Sequence, residues 1–125
     1  FLETVRTVSD KFSPDLIIVE PTGIADPANI IDTMKLYRGP IGVIRTFVVA
    51  DAVRFPLIMK ALGKPLKNQI NAADVILINK IDEAPAAAVE DVRSNLESLG
   101  FKKKVIAVSA TAGTNLDEVV EAMVM

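Results

Sequence analysis

The chain has 125 residues, half of them hydrophobic, with 14 basic and 16 acidic side chains and a formal net charge of -2. That length predicts one domain with a real core, the apolar content excludes disorder, and the charge balance leaves no nucleic-acid footprint. The absence of Cys and His excludes disulfides, soft-metal sites of the Cys/His type and histidine-based catalysis.

In chain order, Leu2, Val5 and Val8 mark a first helix that Phe1 opens. With no initiating Met and no leader ahead of it, the chain is expected to be a piece of something longer. A strand is predicted at 15–20, reading DLIIVE. Asp26 predicts an N-cap with Pro27 in the first helical turn and Ile30, Ile31 and Met34 on the inner face. RTFVVA at 45–50 predicts a second strand. Helical stretches at 53–62 and 65–73 follow, Pro56 fitting only a first turn. DVILIN at 74–79 is the third strand. Pro85 opens a helix carrying Val89, Val92, Leu96 and Leu99 on one stripe, with Gly100 as its stop. KVIAVS at 104–109 is the fourth strand. Thr114 and Asp117 predict a capping box for a last helix with Leu116, Val119, Val120 and Met123 on its apolar face.

The four strands are near-continuous β-branched runs, which suits burial on both faces of a parallel sheet. Strands alternating with helices predict an α/β class with a mostly parallel sheet and helices on both faces. No apolar run approaches the ~20 residues of a membrane span, so no membrane partner is expected, and a cytoplasmic location is.

Ligands of open α/β sheets bind beyond the carboxyl ends of the strands. The third strand ends in Asn79-Lys80-Ile81-Asp82. A carboxylate there suits the N1–H and N2–H₂ donors of guanine, which adenine lacks on that edge. The Asn79 amide suits the other edge of the base, and the Lys80 stem suits its face. A plain polar loop with Asp82 capping the next helix is the other reading. The fourth strand ends in Ser109-Ala110-Thr111-Ala112-Gly113. A tight turn of small residues there can bring backbone N–H groups to the guanine O6, although a simple strand-to-helix turn explains it equally well. The first strand ends in Glu20-Pro21-Thr22-Gly23. Glu20 sits where a Walker B acid would hold a Mg²⁺-bound water or orient the attacking one, and the Gly23 N–H suits a γ-phosphate. A tight turn with Glu20 solvated fits as well. Asp51, after the second strand, reads mainly as a helix cap. There is no GxxxxGK[ST], so the phosphate cradle is missing while the base-reading half is present.

The runs VEPTGIADP, VVADA and QINAADVILINKID resemble the CobW-like branch of the CobW/HypB/UreG family of P-loop GTPases. That resemblance covers most of the chain. It implies a SIMIBI-type P-loop NTPase fold that lacks its first strands, with residues 1–125 as one partial GTPase domain. Glu20 and Gly23 fall on the family's Glu-x-x-Gly motif near the γ-phosphate and metal. Asn79, Lys80 and Asp82 fall on its guanine-specificity motif, and Ser109 and Ala110 on the second base loop. The implied whole protein binds GTP or GDP with Mg²⁺, hydrolyses GTP slowly and handles a transition metal (Zn, Co or Ni). It delivers that metal to a client metalloprotein or serves a cobalamin-related pathway. The family's P-loop, first switch and Cys-x-Cys-Cys metal motif are not among these residues, so no metal ligand is assigned.

The resemblance also places the P-loop strand between the first two strands found here. Without it, residues 15–20 are expected either to pair directly with 45–50 or to leave apolar strand edges. Such edges invite pairing with a second copy as a homodimer. A non-catalytic interaction module that dimerises through those edges is thus the second functional expectation.

Overall fold

A computed structural model describes residues 1–22 and 26–124. The chain divides into two compact units, Phe1–Ile44 and Arg45–Met125.

The first unit holds two helices. Helix α1 (Leu2–Phe12) ends at Ser13, a left-handed residue whose N–H returns to the Ser9 carbonyl. Helix α2 (Pro27–Met34) starts as its sequence predicts, with the Asp26 carboxylate accepting the Ala28 N–H at 2.9 Å and Pro27 in the first turn. The strand expected at 15–20 is not there: residues 14–22 form neither helix nor strand. A β-branched run becomes a strand only where a neighbour supplies ladder partners, and here Ile18 is 70% exposed, with Leu16, Ile17 and Val19 exposed beside it. These four residues, with Phe1, Val5 and Val8 of the α1 region, line an apolar groove.

The second unit is a three-stranded parallel sheet among the described residues. Strands β1 (Phe47–Asp51), β2 (Val75–Asn79) and β3 (Lys104–Ala107) lie in the order β1-β2-β3. Successive side chains of a strand point to opposite faces. On one face Ala50, Ile76 and Ile78 pack with Val48 and Val105. Phe55, Leu66 and Ile70 of helix α3 (Phe55–Ala72) and Val92 and Leu96 of helix α4 (Ala86–Ser98) cover them. On the other face Val75 and Ile106, with Val108 just beyond β3, meet Val119 and Ala122 of helix α5 (Leu116–Val124). The sheet therefore carries helices on both faces, as its β-branched runs predict. Val49 faces the same way as Leu77 yet is 62% exposed.

Two helix boundaries follow expectation and one differs. The two stretches expected at 53–62 and 65–73 are there as two helical segments of α3, separated by a kink at Leu62 (φ -116°, ψ 20°). Pro65 causes the break, because its ring clashes with the carbonyl four residues back and offers no N–H to it. Helix α5 starts at Leu116 without the Thr114 capping box. Asn115 is left-handed (φ 60°), and Thr114 is instead tied to Ser109 in an antiparallel bridge. The stop of α4 follows the sequence reading closely: Gly100 takes φ +90°, and the N–H groups of Gly100 and Phe101 return to the carbonyls of Glu97 and Leu96. That is a Schellman closure, sealed by Phe101 joining Leu96 in the core. Among the described residues no helix is long and apolar enough to cross a membrane.

Candidate functional site

Three parallel strands bring their carboxyl ends to one edge of the sheet. Asp51 ends β1, opposite Asn79 at the end of β2. Residues 108–115 follow β3. The backbone ties these tips together: the Ala52 N–H donates to the Asn79 carbonyl at 3.0 Å, and the Ile81 N–H to the Val108 carbonyl at 3.3 Å.

The loop after β2 turns at Lys80, whose φ of 69° is left-handed. A non-glycine residue there costs about 1–2 kcal/mol, and such conformations concentrate at functional sites. The Lys80 carbonyl accepts the N–H groups of Glu83 and Ala84, which closes the turn. Asp82 does not cap α4; Pro85 occupies that position, with no side-chain cap.

The loop after β3 is closed by paired backbone hydrogen bonds between Ser109 and Thr114. Gly113 (φ 78°) and Asn115 make the two left-handed corners. The Asn115 Nδ2 donates to the Ala107 carbonyl at 2.8 Å. Ser109 is fully buried, and its Oγ accepts the Ala112 N–H at 3.2 Å.

Side chains join the two loops. The Ala110 N–H donates to Asn79 Oδ1 at 3.0 Å. A backbone N–H can only donate, so the facing atom is the amide oxygen, and the Asn79 NH₂ is left as a donor. The Thr111 hydroxyl lies 3.5 Å from Asp82 Oδ2 as a donor. Asp82 is exposed, and a carboxylate accepts through both oxygens. Asn79, Asp82, Ser109 and Ala110 thus stand in one hydrogen-bonded cluster. Lys80 adjoins it, its Nζ 3.0 Å from Asp51 Oδ2. Two participants escaped the sequence reading. Thr111 had no signal beyond its place in the turn. Asp51 was legible as a cap, and its Oδ1 does accept the Val53 and Arg54 N–H groups ahead of α3. Its pairing with Lys80 follows from β1 and β2 being parallel neighbours.

Glu20 belongs to the first unit, where it is exposed at the end of the unpaired apolar segment. Gly23 lies outside the described residues. Among the described residues no group of three or more His, Cys, Asp and Glu side chains forms a cation cage. These residues hold no ligand cluster for a transition metal, and none is assigned to them.

Burial pulls the Asp51 carboxyl upward. The Lys80 hydrogen bond, the amides of Arg54 and Val53 and the Lys80 charge outweigh it, holding the group below its ordinary 3.8. A depressed carboxyl stabilises the fold above its unfolded pKa, and that contribution drains as pH falls through the folded value. Asp51→Asn is therefore expected to be less stable than the wild type at pH 6. In urea unfolding the gap should narrow progressively below pH 3.8; a gap independent of pH would contradict the assignment.

Comparison with known proteins places this chain in a family. The CobW/HypB/UreG nucleotide-binding domain matches residues 1–107. The zinc chaperone YeiR of Escherichia coli (strain K12) is 25% identical over 104 residues, which is 82% of this chain and 32% of that protein. The chain thus spans about a third of the length of this curated relative. No solved structure matches it significantly. With most of its length under the domain match, the chain belongs to the CobW/HypB/UreG family, as part of the nucleotide-binding domain.

Proposed function

We propose that the carboxyl-terminal edge of the sheet reads a guanine base, within a larger protein that binds GTP and handles a metal ion. The observation that carries this reading is the Asn79–Ala110 hydrogen bond. It locks the two loops side by side and leaves the Asn79 amide donor and the exposed Asp82 carboxylate as base-edge partners. Asp82 would accept from N1–H and N2–H₂, and Asn79 NH₂ would donate to the opposite edge. Ser109, buried beneath its loop, holds the backbone that faces O6. The Ala110 N–H is engaged by Asn79 in this arrangement, so its part is to fix the amide.

Residues 1–125 are then one partial GTPase domain. They contain no GxxxxGK[ST], so the phosphate grip, Mg²⁺ and the transition metal belong to other residues of the whole protein. There Glu20 and Gly23 would serve the γ-phosphate during slow hydrolysis. The family supports nucleotide binding, and the zinc-chaperone name of the relative supports metal handling; delivery to a client metalloprotein in the cytoplasm completes the proposal.

The test is titration calorimetry with GDP and ADP on the longest natural chain that contains these residues. A site built around base-edge hydrogen bonds is expected to favour GDP by at least about 100-fold; equal affinities would refute it. One observation favours a second reading: among the described residues β1 pairs only with β2, Val49 is exposed beside its open edge, and the apolar residues 16–19 are unpaired. A homodimer through strand edges follows from that. A concentration-dependent mass in sedimentation, together with no binding of either nucleotide, would favour it.

A further inference from the structure

We propose that Asp51 is a positioning residue for base recognition, acting through Lys80; this rests on the guanine reading above. Three facts meet at this carboxylate. Its Oδ2 lies 3.0 Å from Lys80 Nζ. Its Oδ1 is held by the Val53 and Arg54 amides at 2.9 and 3.2 Å. Its backbone is held opposite Asn79 in the parallel register. The carboxylate is thus fixed from two sides before it meets the lysine, and its side chain is only 20% exposed.

Lys80 departs from a left-handed backbone at the tip of β2, and its ammonium is anchored at the tip of β1. Its aliphatic stem therefore bridges two strand tips, and the side chain as a whole stays 40% exposed. The methylenes of this partly exposed side chain, beside Asn79 and Asp82, are a surface on which the face of a planar base can rest. A long cationic side chain normally loses its rotamer freedom when a ligand settles on it. Tethering the ammonium in advance removes part of that loss and improves affinity by preorganisation. The tether also keeps the lysine off Asp82. A carboxylate paired with a neighbouring ammonium would be a poorer acceptor for the two guanine donors. Asp51 therefore favours guanine recognition without touching the base.

The experiment compares GDP and ADP affinities of the longest natural chain with its Asp51→Asn, Lys80→Met and doubly substituted forms. Asn keeps an oxygen for the Val53 and Arg54 amides and removes the ion pair. Asp51→Ser, which also keeps a capping oxygen, serves if Asp51→Asn folds poorly. The expected result is a five- to tenfold loss of GDP affinity in either Asp51 variant, with a smaller loss for ADP, which rests on the stem but does not use the Asp82 carboxylate. In the Lys80→Met background the Asp51 substitution should cost nothing further. A purely structural role would lower both affinities equally and persist in that background, which would overturn the proposal. So would an unchanged GDP affinity in a chain that still prefers GDP; the guanine reading would then stand alone. A wild-type chain with no preference for GDP would overturn both.

Discussion

Replacing Asp82 with Asn is expected to lower the preference for GDP over ADP by about 30- to 1,000-fold. Guanine presents N1–H and N2–H₂ to the carboxylate, and hydrogen bonds to a charged acceptor contribute about 1.5–3 kcal/mol each. Asn keeps one neutral acceptor and turns the other position into a donor, which meets a donor on the base. The net loss is about 2–4 kcal/mol, which converts to that range. The affinity for ADP, which makes no such pair, should not change. Xanthosine diphosphate carries a carbonyl where guanine carries its amino group, so the Asn variant should bind it better than the wild type does. Fold stability should move by less than about 0.5 kcal/mol, because Asp82 is exposed and does not cap α4. Titration calorimetry with the three nucleotides checks all of this. An unchanged preference for GDP over ADP would remove Asp82 from the site.

Ile76→Ala is expected to have the largest effect on stability, about 2–5 kcal/mol. Ile76 lies on the central strand, is fully buried, and packs among residues of α3 and α4. The deletion loses transfer energy and leaves a cavity that two helices and a strand can only partly close. Against a typical domain stability of about 5–15 kcal/mol, that is a large share. Val49→Ala, on the neighbouring strand but 62% exposed, should cost less than about 1 kcal/mol. Urea unfolding followed by circular dichroism separates the two. Equal costs would contradict the placement of the core.

The parts of the fold that were legible in the sequence are those fixed by local chemistry. Asp26 with Pro27 marked the start of α2, and Gly100 marked the end of α4, because a cap and a left-handed corner need those residue types. The runs at β1, β2 and β3 were legible because each finds a parallel neighbour to pair with. DLIIVE has the same composition, yet it forms no strand; pairing depends on partners elsewhere in the chain, which composition does not encode. The Thr114 box failed for a similar reason, since its backbone is drawn into the bridge with Ser109. In the candidate site, the Asn79–Asp82 loop and the Ser109 loop were legible as motifs. Their hydrogen-bonded union through Asn79 and Ala110, and the tie from Asp51 to Lys80, depend on which strand tips lie side by side.

The most direct test is a crystal structure of the longest natural chain containing these residues, grown with GDP. The guanine edge is expected on the Asp82 carboxylate, its opposite edge within hydrogen-bond distance of the Asn79 amide, and its face against the Lys80 stem. A base bound elsewhere, or phosphates held with the base free in solvent, would contradict that placement.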